Sequence, residues 1–381
     1  MINTPEALSD LCSRMKESSS IALDTEFISG KRPETILSIV QVGLSAKEAY
    51  LIDVLAFDDL TPLRPILENQ TTVKILHDAS QDLGLIAKAT KATPKNIFDV
   101  KLAARLLGMG TNYSLSELVQ NLCGVHLSKG QQRSNWLRRP LKPAQIKYAE
   151  RDVLYLHQIQ EVLLSEASRV QRTRWLEQEM CIFNDPELYL PPSPAERLLR
   201  SPATRKFSPQ QCAVVAAIAD WRTDAALSTG TLPKNLLRDK ELLRLAKQRC
   251  TNPGHVRGTC PSLPRRYEHE VANLIREALD TPTSACPASL ASRPLTDTEV
   301  AQLHLLLAVV AIRGSEYGIE PELIGTNAIL TDFILNPEKP SNPLRKGWRQ
   351  EVAGRDLMEI LQGKLSVMLR DGVIKVYPHP A

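Results

Sequence analysis

The stretch Ile21-Ala22-Leu23-Asp24-Thr25-Glu26-Phe27, IALDTEF, sets two carboxylates one residue apart at the end of an apolar run. Alternate side chains of an extended strand share a face, so Asp24 and Glu26 project to the same side, roughly 7 Å apart along the chain. At an effective dielectric near 20, two such charges repel by about 2 kcal/mol. A cation between them would offset that cost, and a solvated strand end would remove it. The rest of the sequence decides between these readings.

Working outward, Ser20 to Val54 holds three strand-like runs, SIALDTEF, ETILSIVQVGL and AYLIDV, joined by the polar links SGKRP and SAKE. Joins this short favour antiparallel neighbours. The pattern then alternates: a helix near 60–68, the strand TVKILH, a helix near 80–90, the strand NIFDV, and helices near 100–107 and 114–122. This predicts a mixed five-stranded sheet flanked by helices. After the basic loop LSKGQQRSNWLRRPLK, Pro143 can open one long helix over about 143–165, because proline is tolerated in a first turn. The segments PELYLPPSPAE (186–196) and TPTSACPASLASRPLTDTE (281–299) read as connectors. Between and beyond them the pattern is helical, with no strand-like run until VIKVYP at the end.

A chain of 381 residues has room for two or three domains. Its 43% hydrophobic and 24% charged content excludes a mostly disordered protein. The seven cysteines are scattered, odd in number and without a C-x-x-C pair, which argues against a disulfide framework or zinc finger and for a reducing, cytoplasmic setting. The N-terminal residues lack an apolar signal region, and the longest apolar run, within 303–312, is too short to cross a bilayer, so no membrane partner is expected. The formal net charge of +4 permits a polyanionic partner without requiring one.

Three further features could do chemistry. In KYAERDVLYL, Tyr148 and Asp152 are four residues apart and stack on one helical face, beside an apolar stripe of Ile146, Ala149, Val153 and Leu156. In HDASQDLGLI, Asp78 with Gln81 reads as a capping box, while Asp82 one turn in is left without a structural role. Basic residues gather between Lys129 and Arg151, around Trp136. Other chemistries lack their motifs: HEVAN has Asn273 where a zinc protease needs histidine, and no G-x-x-x-x-G-K or G-x-S-x-G element is present.

The conjunction of LDTEF, HDASQDL, FDV with KLAARLLG, and SNWLRRPL leading to YAERDVLYL resembles the DEDDy 3′–5′ exonuclease superfamily and, more closely, bacterial ribonuclease D. The resemblance covers about the first 165 residues and implies a ribonuclease H-like fold. It implies that Asp24, Glu26, Asp82 and Asp152 hold two divalent ions, Mg²⁺ or Mn²⁺ with Zn²⁺ as an alternative. Asp24 would bridge the ions, Glu26 and Asp152 would complete one site, and Asp82 would support the other through water. Tyr148 would orient the nucleophile; with an ordinary pKa of about 10, a phenol is a poor base at neutral pH. Oxygen donors in a cluster suit such hard cations, and a pair of them can activate water and stabilise a leaving 3′ oxygen. Phe27, Lys129, Arg133, Trp136, Arg138 and Arg139 are the expected nucleic-acid contacts, although Trp136 and Phe27 also suit packing roles. Many relatives carry Asp before that tryptophan, where this chain has Asn135.

In the second half, FSPQQCAVVAAIADWRTDAALSTGTLPKNLLRDKELLRLAKQ resembles an HRDC domain, and SEYGIEPELIG with NPLRKGWRQEVAGRDLMEIL resembles a degenerate second copy. The expected organisation is an exonuclease domain at 1–185, an HRDC domain at 196–281 and an HRDC-like domain at 296–381, the last two all-α. The expected activity is trimming of RNA 3′ ends, tRNA precursors above all, by a monomer that releases nucleoside 5′-monophosphates. A DNA-directed exonuclease and a non-catalytic RNA-binding protein on the same fold are the alternatives.

Overall fold

The computed structural model describes residues 1–30, 34–110, 113–127, 130–190, 192–370 and 372–378. It divides into two compact units. The first comprises Met1–Glu26, Leu37–Tyr189 and Leu295–Ala381, and the second Phe27–Ile36 and Leu190–Pro294.

The first unit is built on a five-stranded sheet. Its strands are β1 (Ser20–Ile28), β2 (Ile36–Ser45), β3 (Glu48–Asp53), β4 (Val73–Leu76) and β5 (Ile97–Asp99), in the spatial order β3-β2-β1-β4-β5. The β2–β3 pair is antiparallel, as a two-residue link dictates, while β1–β4 and β4–β5 are parallel; β2, β3 and the short helix Arg64–Leu67 lie between the first pair in sequence, and the helix Ser80–Thr90 between the second. This is the mixed sheet expected. β1 is therefore central, with Ile21, Ala22 and Leu23 buried, and its C-terminal half carries Asp24 and Glu26.

The single helix expected over 143–165 is two helices, Pro143–Leu154 and Leu156–Arg169, broken at Tyr155. The break lets the first piece pack against β3 and the second against β4 and the helices Val100–Leu106 and Leu115–Cys123. Apolar periodicity is continuous through Tyr155, so only this divergence of packing partners reveals the joint. Gly43 on β2 fixes how close the first piece comes: a Cβ there would meet the Val153 carbonyl oxygen at 3.1 Å and the Ala22 side chain at 3.2 Å. The absent side chain thus admits the helix carrying Asp152 onto the sheet beside β1.

The segment 295–381 shares its core with the five-stranded sheet, although a separate domain was expected. Leu306, Val309, Phe333, Leu344 and Trp348 join the same apolar cluster as Ile21, Val100 and Leu156. The seam runs along the helix Thr173–Met180. Trp348 stacks on Trp175 with centroids 5.5 Å apart and donates through Nε1 to Glu179 at 2.8 Å, and Arg349 also binds Glu179. Arg105 meets Glu320 at 2.7 Å. Gly108, at φ +74°, lies so close to the Gly318 carbonyl that any side chain there would collide. The segment is also not wholly helical, because VIKVYP pairs with LSVMLR in an antiparallel hairpin of β6 (Leu365–Arg370) and β7 (Val373–Pro378). A lone strand would leave its backbone groups unpaired.

The second unit is helical. Its long helix Pro209–Thr229 starts from a Ser208–Gln211 capping box and packs against Pro194–Leu199, Asp239–Gln248 and Glu268–Leu279. Arg222 is buried and donates to the Leu237 carbonyl and to Asp239, both at 2.7 Å, while Trp221 meets Tyr267 edge-on.

Because Trp348 is fully buried across the seam, Trp348→Ala should cost about 3–5 kcal/mol, as for large buried aromatics in general. The loss should appear in urea unfolding as a weakening of the sheet unit, followed by a probe on that unit.

Candidate active site

β1 delivers Asp24 and Glu26, the helix Ser80–Thr90 delivers Asp82 in its first turn, and the helix Pro143–Leu154 delivers Tyr148 and Asp152. The structure brings all five together. Burial holds Asp24 well above the usual carboxylate range, reinforced by the charges of Asp82, Asp152 and Glu26. Glu26 is only 8% exposed, and burial with Asp152 and Asp82 nearby pushes its pKa up to about 9. Burial raises Asp152 to about 7 and Asp82 to about 6, each partly relieved by a hydrogen bond. Tyr148 is pushed upward by burial and by the acids around it, so its hydroxyl stays protonated and serves as a donor.

Neutral groups hold these acids in place. Gln41, fully buried in β2, donates Nε2 to Asp24 Oδ2 at 3.3 Å. The Thr25 hydroxyl, between the two acids of β1, donates to Asp82, and the Tyr148 hydroxyl bonds Asp152. Gln41 and Thr25 were not singled out in the sequence. A lone amide inside the apolar run ILSIVQVGL is the signal that could have found Gln41, since a buried polar group needs a partner.

Among the described residues, no three His, Cys, Asp or Glu side chains already stand in a shape that would hold a metal ion. The donor chemistry nevertheless fits hard divalent cations: four oxygen-donating acids, partly dry, whose pKa values are raised chiefly by burial and, for Asp24 and Glu26, also by neighbouring acids, a cost that a cation would offset.

The capping role expected of Asp78 falls instead to Asp99. Asp78 has φ 61° and pairs with Lys101 at 2.7 Å. The Asp99 carboxylate, at the end of β5, accepts from the backbone N–H groups of Asp78 and Ala79 at 3.1 and 2.9 Å, and also from Lys101 and Leu102. It therefore fixes the entry to the Asp82 helix and caps the helix that follows β5. The parallel β4–β5 pairing, invisible to local pattern, places Leu76 opposite Asp99 and so puts that carboxylate beside residues 78 and 79.

The expected nucleic-acid contacts divide. Arg133 and Arg138 are exposed on the loop, Phe27 is half-buried, and Lys129 lies outside the described residues. Trp136 and Arg139 are corrected. The Trp136 indole is fully buried, 6.3 Å from the Tyr148 ring, and offers no face to a base. Arg139 is bound by Asp53 through two hydrogen bonds of 2.6 Å and donates to the Trp136 carbonyl. Ser38 Oγ donates to that same carbonyl at 2.6 Å, so the loop is pinned to β2 and β3. A buried acid needing a cation outcompetes solvent-exposed phosphate for this guanidinium.

The chain is similar to known proteins over nearly all its length. A family model described as 3′–5′ exonuclease matches residues 1–167. A ribonuclease D from Desulfotalea psychrophila is 32% identical over 356 residues, covering 92% of this chain and 95% of the relative. The chain belongs to the ribonuclease D family. A family member from Pseudomonas paraeruginosa is 31% identical and covers 95% of this chain and 97% of its own. The fold matches the crystal structure of Escherichia coli RNase D with a TM-score of 0.83, at 24% identity, over 95% of this chain and 98% of that one. The protein is thus a hydrolase, a 3′–5′ exoribonuclease of a divalent-metal-dependent family. Among the described residues, no helix is long and apolar enough to cross a membrane.

Two outcomes check this description. A carboxylate whose folded pKa is raised keeps a proton that the unfolded chain has released, so stability falls as pH rises from the unfolded to the folded pKa. For Glu26 that window runs from about 4.5 to about 9. In chelated buffer, Glu26→Gln should gain at least about 1.4 kcal/mol on the parent between pH 5 and pH 8, the worth of one pKa unit. Mn²⁺ should shrink that gain, as read by urea unfolding at each pH. Arg139→Met should cost about 2–3 kcal/mol, less than for a fully buried pair because the guanidinium is partly exposed. Its KM for RNA should stay within about twofold of the parent, because a guanidinium committed to Asp53 is not available to phosphate.

Proposed function

We propose that Asp24, Glu26, Asp82 and Asp152 are the metal-binding and catalytic acids, with Tyr148 as the residue that orients the nucleophile. The observation that carries this is the convergence of four acids from three separate elements, all with pKa values raised by burial and two of them, Asp24 and Glu26, raised further by the other acids, around one protonated tyrosine. Mutual repulsion of this kind is a cost to folding, and a scaffold without chemistry to perform has no reason to bear it. That argues against a purely RNA-binding role.

The ions proposed are two Mg²⁺ or Mn²⁺, with Zn²⁺ as an alternative, held by Asp24 between the sites, by Glu26 and Asp152 at one and by Asp82 at the other. Bound there, such ions supply acidification of a water and neutralisation of charge on the leaving 3′ oxygen. The chain's own groups do the positioning. Tyr148, kept protonated, donates toward the water or the scissile phosphate without acting as a base. Asp152 holds that hydroxyl. Thr25 and Gln41 keep Asp82 and Asp24 from swinging away. The Ser38–Trp136–Arg139 network anchors the loop that leads into the Tyr148 helix.

The proposed substrates are RNAs with single-stranded 3′ extensions, chiefly tRNA precursors, degraded stepwise to nucleoside 5′-monophosphates by a monomeric cytoplasmic enzyme. Phe27, Arg133, Arg138 and Lys129 are proposed contacts of the strand. The segment 196–281 is proposed as an HRDC domain that adds nucleic-acid contact, on the likeness of its AVVAAIADWR helix and of the residues that follow it. The segment 296–381, proposed as its degenerate counterpart, supports the exonuclease core. Preference for RNA over DNA would rest on contacts to the 2′-hydroxyl.

The test is a 5′-labelled tRNA precursor, with a DNA strand of equal length alongside, incubated with Mg²⁺ or Mn²⁺. Stepwise shortening of the RNA, abolished by chelator and by Asp24→Asn, is expected. Tyr148→Phe should lower kcat by roughly 10²-fold with little change in KM, the usual effect of losing one transition-state donor. Tight binding without shortening would sink the assignment, and equal shortening of DNA would sink the RNA preference.

A further inference from the structure

A cavity of about 580 Å³ lies wholly within the first unit, where the C-terminal segment meets the helices Val100–Leu106 and Thr173–Met180. None of the five candidate active-site residues lines it. The cations on its wall are all committed. Lys101 pairs with Asp78 at 2.7 Å, Arg349 binds both oxygens of Glu179, and Arg105 takes Glu320. The Asp99 carboxylate, also on the wall, is occupied by four backbone N–H groups. Three carboxylates keep capacity to accept more. Arg105 directs both of its donors, Nε at 2.9 Å and Nη2 at 2.7 Å, to Glu320 Oε2. Glu320 Oε1 is left buried with no hydrogen-bond partner among the described residues, on a side chain only 10% exposed. Glu322, exposed on the same wall, is matched by none of the three cations. Lys101 bonds Asp78 through Oδ2, and the Asp78 side chain is 65% exposed.

The chemistry of the wall selects the ligand. A carboxylate oxygen held away from water without a donor is costly, so what the Glu320 end lacks is an N–H or O–H group. An anion would meet an excess of acid. A divalent ion fits poorly, because no three His, Cys, Asp or Glu side chains among the described residues stand in a metal-holding shape, and part of the wall is apolar. Leu102, Ile182, Leu188 and Leu323 form that part, with Ile182 and Leu188 exposed to 55% and 38%. Lys101 and Arg105 are one helical turn apart, about 6 Å along the axis, so their partners Asp78 and Glu320 are held at two levels. We propose that this cavity binds a short alkyl diamine, with an ammonium group at each end of a methylene stem. One ammonium donates to Glu320 and Glu322, the other donates to Asp78, and the stem lies on the leucines and Ile182. The occupant ties the C-terminal segment to the turn that opens the Asp82 helix, and so stabilises the first unit by linkage. The proposal does not depend on the catalytic reading of the four acids.

The test is calorimetric titration of the full-length protein, without RNA and at low salt, with 1,4-diaminobutane. Methylamine, 1,4-butanediol and Mg²⁺ are titrated alongside. One saturable site is expected for the diamine, with methylamine weaker by roughly tenfold or more and the diol not bound, as charge-assisted contacts at both ends require. The melting temperature should rise with diamine concentration. Asp24→Asn should leave diamine affinity within about twofold of the parent, which separates this cavity from the four acids. Glu322→Gln removes an acceptor charge at an exposed position, and Ile182→Lys puts a tethered ammonium into the cavity. Each should weaken the diamine by roughly tenfold while the free protein melts like the parent. No saturable binding, an affinity for methylamine equal to that for the diamine, or full affinity in both variants would overturn the site. So would displacement by Mg²⁺ at equal concentration, the mark of a diffuse cation atmosphere, or loss of binding in Asp24→Asn, which would put the diamine at the acids.

Discussion

Four carboxylates drawn into one partly dry corner repel one another, and most of the first unit is arranged to keep them there. Burial is the largest cause of the raised pKa of Asp24, Glu26, Asp82 and Asp152, and the mutual charges add to it for Asp24 and Glu26. A flexible surface would let such groups part. Here they are carried on a central strand, on the first turn of one helix and on the face of another, and each backbone is fixed by contacts elsewhere.

The fixing contacts are mostly neutral or remote. Gly43 lets the Asp152 helix approach the sheet, and Gln41 and Thr25 grip individual acids. Asp99 ties the entry of the Asp82 helix to the end of β5. Rigid support of this sort is what a metal-assisted hydrolase needs, because donor positions must hold within a fraction of an ångström. The C-terminal segment belongs to the same support: through Trp348, Arg349 and Glu320 it closes over the helices that back β4 and β5. The segment therefore contributes to the stability of the exonuclease core whatever it also does with RNA.

Charge is zoned along the helix Pro143–Leu154. Successive residues on a helix are 100° apart, so the adjacent pairs 147/148 and 151/152 put a cationic stripe next to the acidic and phenolic one. Arg139, in the loop just before that helix, looks equivalent in sequence to the other basic residues, yet it is committed to Asp53.

Local pattern in the sequence determined a good deal. Alternation gave β1 to β3, Asp-x-Glu on one strand face and Tyr-x-x-x-Asp on one helix face follow from the periods 2 and 3.6, and the order of motifs pointed to the family. Tertiary structure alone decided which residues of the basic loop stay exposed. Trp136 and Arg139 sit in a basic loop that reads as a binding surface, but the sheet behind it supplies Ser38 and Asp53 and takes both residues inward. Asp99 displaced Asp78 as the cap because a parallel strand pairing brought it 21 residues across the chain. Tyr155 breaks a helix whose apolar stripe runs on unbroken, and residues 295–381 joined a core 100 or more residues away. Periodicity is a property of neighbours in sequence; burial, pairing and the competition for a cation are settled by neighbours in space.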